Sequence, residues 1–230
     1  DENVDENVDE NEEEKEKNEE EQEKQRRNFR KIVNEFTKDL KNTFPELENI
    51  LNEDLKSIAK CENIDDNNYD LHFNNLEEYC NEFYPERFFD IMYQNEQIFL
   101  EESETNTFFL PNVDFKLLWN TNISLKTRNI IWKYLQLILF NIVNNVSNTN
   151  SFGNTADLFQ AIDEDEFKTK IEETMENIQN MFSNNDTSFN NFDDLDDGDI
   201  SNNFDFNNLP NPEDIHSHLD GILNGKIGNL

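Results

Sequence analysis

The stretch "ISLKTRNIIWKYLQLILFNIV", residues 123–143, decides the fold of this chain. Ser124 is a good residue to begin a helix, because its hydroxyl can accept a hydrogen bond from an amide of the first turn. Behind it, apolar side chains recur at helical spacing in two neighbouring stripes: Ile131, Leu135, Ile138, Ile142 and Val146 in one, and Trp132, Leu139 and Val143 in the other. So wide an apolar arc predicts burial on more than one side, and therefore the central helix of a bundle.

Three cations lie near the start of this helix: Lys126, Arg128 and Lys133. The helix dipole favours anions at that end, so the cations need compensation. We expect it from acidic residues of the preceding segment, namely Glu101, Glu102 and Glu104. The cationic helix start is therefore a candidate surface for binding acidic protein.

Helical spacing of apolar residues predicts further helices on both sides of the central one. They are expected over residues 29–40, from Pro45, over 76–83, from Pro85, as one turn over 115–119, after Thr155, over 167–182 and from Pro212. Residues 97–113 instead favour a short β-hairpin or an extended excursion, since Thr107 to Leu110 have high strand propensity. The predicted fold class is all-α, an irregular helical bundle with acidic tails.

Aromatic residues indicate where the core lies. Residues 69–140 hold 16 of the chain's 27 aromatic side chains, although only 34% of all residues are hydrophobic. A chain this poor in apolar residues cannot bury all of its length. We expect one helical domain over residues 26–182, with its core in 69–146.

Acidic residues dominate both ends of the chain, which carries a formal net charge of −33. Residues 1–25 hold 14 acids and 3 bases, and residues 183–230 hold 10 acids and 1 base. Low hydrophobicity combined with high charge predicts disorder. We therefore expect a disordered acidic tail over 1–25, an acidic Phe- and Asn-rich linker over 183–211, and a short terminal helix over 212–230.

Apolar side chains alternate with acids in the C-terminal linker. Mutual repulsion of the acids would keep such a segment open and leave the apolar groups available to a partner's groove. The residues predicted to bind in this way are Phe189, Phe192, Leu195, Phe204 and Phe206. A compositional bias towards Asn, Asp and Phe would explain the same pattern without any binding role.

Motifs for catalysis or for metal binding are weak. The acidic run around Gly198 resembles a calcium loop, but Leu195 and Phe204 stand where oxygen ligands belong. His216 and His218 are two residues apart, so on a helix they point away from each other. Neither a nucleophile motif nor a phosphate-binding loop is present, and Cys61 and Cys80 are expected to be reduced thiols. The sequence predicts no enzyme, no cofactor and no metal site.

Partners are limited by charge and hydropathy. A strongly anionic chain repels nucleic acid and anionic lipid, so direct nucleic-acid binding would require a local basic face. The longest apolar run, residues 134–143, is too short to cross a membrane. A protein partner is therefore expected, and the oligomeric state is left open.

Three blocks of the chain resemble an uncharacterised protein family of nucleocytoplasmic large DNA viruses, the giant viruses. They are "YCNEFYPERFFDIMYQNEQIF", "FFLPNVDFKLLW" and "ISLKTRNIIWKYLQLILFNIV", all within residues 76–146. The closing "HLDGILNGKIGNL", residues 218–230, looks like the start of another segment of those proteins. The resemblance implies a viral protein that works inside the host cell, in the cytoplasmic virus factory, or is packaged in the virion. It implies no catalytic residue.

Two functions follow as hypotheses. The first is a non-catalytic viral protein–protein interaction or virion-associated protein, whose acidic tails recruit or regulate a partner. The second is an acidic accessory factor for viral transcription or genome handling. It would touch nucleic acid through a basic face made of Arg26, Arg27, Arg30, Lys126, Arg128 and Lys133.

Overall fold

The structure is a computed structural model that describes residues 6–183 and 209–224, with the backbone alone at residues 6–11, 182–183 and 224. The described chain is all-α, as predicted. Its α-helices are α1 Glu6–Thr43, α2 Glu53–Lys60, α3 Asp70–Phe83, α4 Phe88–Met92, α5 Phe115–Trp119, α6 Leu125–Ile142, α7 Ala156–Ala161, α8 Glu164–Ser183 and α9 Pro212–Asn224. Short 3-10 turns occupy Pro45–Asn49, Asn67–Tyr69, Pro85–Arg87, Glu96–Phe99, Val143–Asn145 and Thr149–Thr155.

Helix α6 is the central helix that the sequence predicts. Ser124 caps it, because its Oγ accepts a hydrogen bond from the backbone N–H of Thr127 at 3.1 Å. Every residue from 130 to 143 is buried, and α1, α3, α4 and α8 pack around the helix. Within the described residues, no helix combines the length and the apolarity that crossing a lipid bilayer requires.

The core is wider than residues 69–146, so the predicted core boundary is wrong. Helix α1 buries Phe29, Phe36 and Leu40, and the ring of Phe36 stacks on Tyr134 of α6 with centroids 4.5 Å apart. Helix α9 also joins the core through Ile215, Leu219 and Leu223. An aromatic count misses α9 because its buried face is aliphatic, and it misses α1 because aromatic residues are sparse there in sequence although Phe29 and Phe36 are buried.

The N-terminal segment differs from the predicted disordered tail, since residues 6–25 continue α1 as helix. Glu, Lys and Gln have high helix propensity, and acidic residues are favourable near a helix N-terminus. Glu13 and Lys17 are also spaced four apart, as are Glu20 and Lys24, which favours helical side-chain pairing. The buried segment from Phe29 onwards supplies a helical turn on which this extension grows, so no separate nucleation is needed.

Residues 97–113 form no strand in the structure, so the predicted β-hairpin is wrong and the path is that of the other predicted alternative, an excursion without strand pairing. A single isolated bridge joins Leu110 and Val113. The path is set by side chains of α3 and its C-terminus, because the hydroxyls of Tyr79 and Tyr84 donate to the carbonyls of Phe108 and Phe109 at 2.5 and 3.0 Å. Long-range hydrogen bonds of this kind hold a short segment without a strand partner.

Two boundaries differ in detail from the sequence pattern. The helix expected from Pro45 is a 3-10 turn followed by α2, and Ile50 between them is 48% exposed instead of buried. The terminal helix packs on α8, where Lys168 Nζ lies 2.6 Å from Glu213 Oε1. Helix α9 is therefore part of the bundle and not an appendage.

Candidate functional site

The N-terminal half of α1, residues 6–25, extends beyond the buried core, and we name it the acidic arm. Its 20 residues include 11 acids and 3 bases, a net charge of −8. The side chains of residues 12–24 are all exposed. At 1.5 Å per residue the arm is about 30 Å long. It therefore presents carboxylates on all sides of one regular helix.

The base of the arm is anchored by arginines that bind carboxylates of the same chain. Arg27 Nη2 lies 2.9 Å from an oxygen of Asp65, and Arg30 Nη1 lies 2.7 Å from an oxygen of Asp70. Arg30 also places its guanidinium over the ring of Phe73 at 5.2 Å. These contacts fix the direction in which α1 leaves the core.

The arginines predicted to touch nucleic acid lie at the base of the arm, and each forms an ion pair with a carboxylate of the same chain. Arg26 pairs with Glu23 at 3.6 Å, and the side chain of Arg30 is only 8% exposed. The side chains of Arg26 and Arg27 are 42% and 63% exposed, and exposed ion pairs contribute little to stability. Arg30 therefore acts in the fold, whereas Arg26 and Arg27 stay at the surface directly after the arm.

The three cations at the start of α6 are not brought together on one surface. Lys126 is half-buried, and Lys133 is 9% exposed and lies inside the bundle. Arg128 donates from Nη2 to the carbonyl of Trp119 at 3.3 Å and lies over its ring at 5.1 Å. The charge of Arg128 is thus compensated by the carbonyl and ring of Trp119, and not by the glutamates from which compensation was expected. A common docking surface made of these three residues is not what the structure shows.

Lys133 has an unusual environment for a lysine. Its Nζ donates to Oε1 of Gln136 at 3.2 Å, and Nε2 of Gln136 donates to the carbonyl of Ile91 at 3.2 Å. Burial lowers the pKa of Lys133, and the neighbouring charge of Lys170 lowers it further. The partner of this buried ammonium is therefore a neutral amide and not a carboxylate.

Two acids of α1 on the side of α6, the buried Asp39 and the half-buried Glu35, were not predicted from the sequence. Asp39 is 5% exposed and accepts a hydrogen bond from the hydroxyl of Tyr134 at 2.6 Å. Burial raises the pKa of Asp39 to about 6, although the tyrosine hydrogen bond opposes the rise. Burial also raises the pKa of Glu35 to about 7, against the opposing charges of Lys31 and Lys38. The signal was present, since both acids lie on the flank of the apolar face of α1.

No protein-family profile, curated protein or solved structure matches this chain. The resemblance of residues 76–146 to a giant-virus family therefore stays a prediction. Function has to be inferred from the geometry of the chain itself.

The Phe-rich segment lies outside the described residues. This applies to Phe189, Phe192, Leu195, Phe204 and Phe206, and also to the calcium-like run around Gly198. Within residues 6–183 and 209–224, no cluster of three or more His, Cys, Asp or Glu side chains could hold a metal ion. The histidines have structural contacts instead: His72 Nδ1 lies 2.8 Å from Asp54, and His218 Nε2 lies 2.8 Å from the carbonyl of Val146.

Proposed function

We propose that this protein is a non-catalytic interaction module in which the acidic arm binds a basic protein. The proposal rests on the observation that one half of α1 is buried in the core and the other half is fully exposed. Residues 29–40 of α1 anchor the helix in the core, whereas residues 12–24 expose every side chain. A helix that is polar on all sides gains nothing from burial, so its charges are available to a partner.

Electrostatics determine the kind of partner. Eight carboxylates on residues 12–24, about 20 Å of helix, create a negative potential that attracts a lysine- or arginine-rich surface and accelerates its association. The same potential repels the phosphates of nucleic acid. Arg26, Arg27 and Arg30 at the base of the arm are too few to reverse its negative charge, and each also lies beside a carboxylate, Glu23, Asp65 or Asp70.

A charge-matched pair of variants tests the role of the arm. The arm variant carries Glu→Gln at positions 13, 14, 20 and 21, and the control carries Glu→Gln at positions 62, 101, 102 and 173, all exposed outside the arm. Gln retains helix propensity, so circular dichroism should be unchanged. Binding of a fluorescently labelled lysine-rich peptide should weaken about tenfold in the arm variant, since four exposed charge contacts contribute roughly 0.3 kcal/mol each.

The control variant distinguishes binding by the arm from an effect of net charge alone. Both variants lose four negative charges, so a purely global charge effect would weaken both equally, and that result would refute the role of the arm. Salt should weaken wild-type binding, because exposed charges are screened within about 10 Å at 0.1 M ionic strength. Salt-dependent binding of duplex DNA or RNA to the wild type would instead support the nucleic-acid accessory hypothesis.

The Phe-rich segment is tested separately, because it could recruit a partner of its own. The variant for this test carries Ser in place of Phe189, Phe192, Phe204 and Phe206, which lie outside the described residues, and circular dichroism should show that its helix content equals that of the wild type. Affinity capture with this variant, the arm variant and the wild type would assign each captured protein to one segment. Identical captured sets from the Ser variant and the wild type would refute recruitment by the Phe-rich segment.

A further inference from the structure

Helices α7, α8 and α9 line a cavity of about 330 Å³ at the C-terminal end of the bundle. This volume lies at the lower end of the range of roughly 300–1,000 Å³ over which proteins bind small molecules. Helix α9 contributes residues spaced three and four apart, which share one helix face: His216, Leu219, Asp220 and Leu223. Lys168 Nζ of α8 lies 2.6 Å from Glu213 Oε1 of α9, and this ion pair joins the two helices that form the walls.

The apolar side of the cavity is an aromatic floor that is tied to the core. The rings of Phe159 and Phe167 meet edge to face, 90° apart with their centroids at 5.7 Å. The ring of Phe159 also lies 4.5 Å from that of Phe89 and 5.0 Å from that of Phe88, both in α4. Because neighbouring rings hold the floor in place, it is formed before a ligand arrives, which lowers the entropy cost of binding.

The polar side of the cavity carries two carboxylates and one imidazole. Glu164 in the first turn of α8 and Asp220 in α9 are both exposed at its rim. The imidazole of His216 lies beside the floor, with its centroid 6.0 Å from that of Phe167. The lining residues that the structure describes include no lysine or arginine, and the whole chain has a net charge of −33. The cavity therefore attracts cations and repels anions.

An aromatic floor beside carboxylates suits an organic cation with an apolar body. The face of a phenylalanine ring carries partial negative charge and attracts an ammonium group within about 6 Å of its centroid. A carboxylate at the rim can accept a charge-assisted hydrogen bond from the same ammonium group. An inorganic cation would leave the floor uncovered, and a neutral apolar compound would make no use of the carboxylates.

We propose that the cavity between α7, α8 and α9 binds a monoamine that carries one aromatic ring. The ring of the ligand packs on Phe159 and Phe167, and its ammonium group binds at the rim, to Glu164 and Asp220. The volume of about 330 Å³ limits the ligand to a single ring with a short chain. The lining residues all lie outside the acidic arm, so this site is independent of the function proposed for the arm.

Isothermal titration of the full chain with 2-phenylethylammonium tests the site, with sodium chloride keeping the ionic strength constant. Two analogues separate the contacts, since ethylammonium lacks the ring and 2-phenylethanol lacks the charge. The wild type should bind 2-phenylethylammonium saturably and roughly fivefold or more tightly than either analogue, because each analogue loses one set of contacts.

Two variants with matched charge locate the ammonium group. The site variant carries Glu164→Gln and Asp220→Asn, and the control carries Glu62→Gln and Glu101→Gln, two exposed acids outside the cavity. The site variant should bind 2-phenylethylammonium about fivefold more weakly, the change expected from two exposed charge contacts. The control should bind it as the wild type does.

A larger side chain at Ile162 tests the location of the ring. Ile162 lines the cavity and is half-buried, so tryptophan at this position should fill the space and abolish binding, with circular dichroism confirming the fold. Absence of saturable binding in the wild type, or unchanged binding in a folded Ile162→Trp protein, overturns the proposal. Equal weakening in the site variant and the control also overturns it, because that result would show a general attraction of cations to an acidic chain. Equally tight binding of 2-phenylethanol would overturn the requirement for a cation.

Discussion

Replacing Asp39 with asparagine should remove a pH-dependent loss of stability that arises where α1 packs on α6. Burial raises the pKa of Asp39 from 3.8 to about 6, so the folded state binds more protons than the unfolded state between these values. The free energy of unfolding therefore falls as the pH rises through this window. The rise in the pKa of Asp39 corresponds to a decrease of about 3 kcal/mol in the free energy of unfolding. The decrease is complete at a pH above both pKa values.

The asparagine side chain of the Asp39→Asn variant does not titrate, and its amide oxygen can still accept the hydrogen bond from Tyr134 that the carboxylate accepts at 2.6 Å. The variant should thus gain stability relative to wild type as pH rises. Because the pI is about 4.1, measurements belong above pH 5, where the protein is well charged. From pH 5 to pH 8, the free energy of unfolding of Asp39→Asn should therefore rise by about 1 kcal/mol relative to that of the wild type.

Urea unfolding of both proteins at pH 5, 6, 7 and 8 measures this gain. A chain of charge −33 also repels itself more strongly as pH rises, so wild type alone cannot isolate the effect of one residue. Glu62→Gln removes one exposed acid and serves as the control, for which the difference from wild type should stay nearly constant. A difference between Asp39→Asn and wild type that does not change with pH would refute the assignment of a raised pKa to Asp39.

Three further outcomes are expected from the packing. Ser124→Ala should lower the free energy of unfolding by about 1 kcal/mol in urea titrations, and Ser124→Asp should restore most of it. Leu135→Ala should cost about 2–5 kcal/mol because the side chain is fully buried, whereas Leu125→Ala, at a position 71% exposed, should change stability by less than about 0.5 kcal/mol. Burial raises the pKa of the Cys61 and Cys80 thiols, so both should react with a disulfide reagent much faster in denaturant than in the native state.

The spacing of apolar residues predicted the helices well wherever the pattern depends on a single helix. Ser124 and the stripes on α6 are read directly from spacing, because capping and burial of an amphipathic face are local properties. The path of residues 97–113 could not be read in this way. It depends on hydroxyls of Tyr79 and Tyr84 that lie 25 or more positions earlier in the chain.

The candidate sites were predicted less well, for a related reason. A charge pattern shows that Lys133 is a cation near a helix start, but its burial results from α4 and α8 packing over it. Likewise, Asp39 and Glu35 look like ordinary surface acids until α6 is placed against α1. Burial of a charged side chain is a tertiary property, so a reading of one helix at a time assigns such residues to the surface.

Helix α1 connects these observations, because one continuous helix carries charges in two different environments. In the acidic arm, water screens each carboxylate, so neutralising several of them should change partner binding and leave the core nearly as stable as before. At Asp39, burial removes that screening, so neutralising one carboxylate should change stability and leave the arm as it is. Because the two sets of variants act through different properties of the same helix, they can be combined. Additive effects on stability and binding would show that the arm and its anchor are independent, as expected for sites well over 7–10 Å apart.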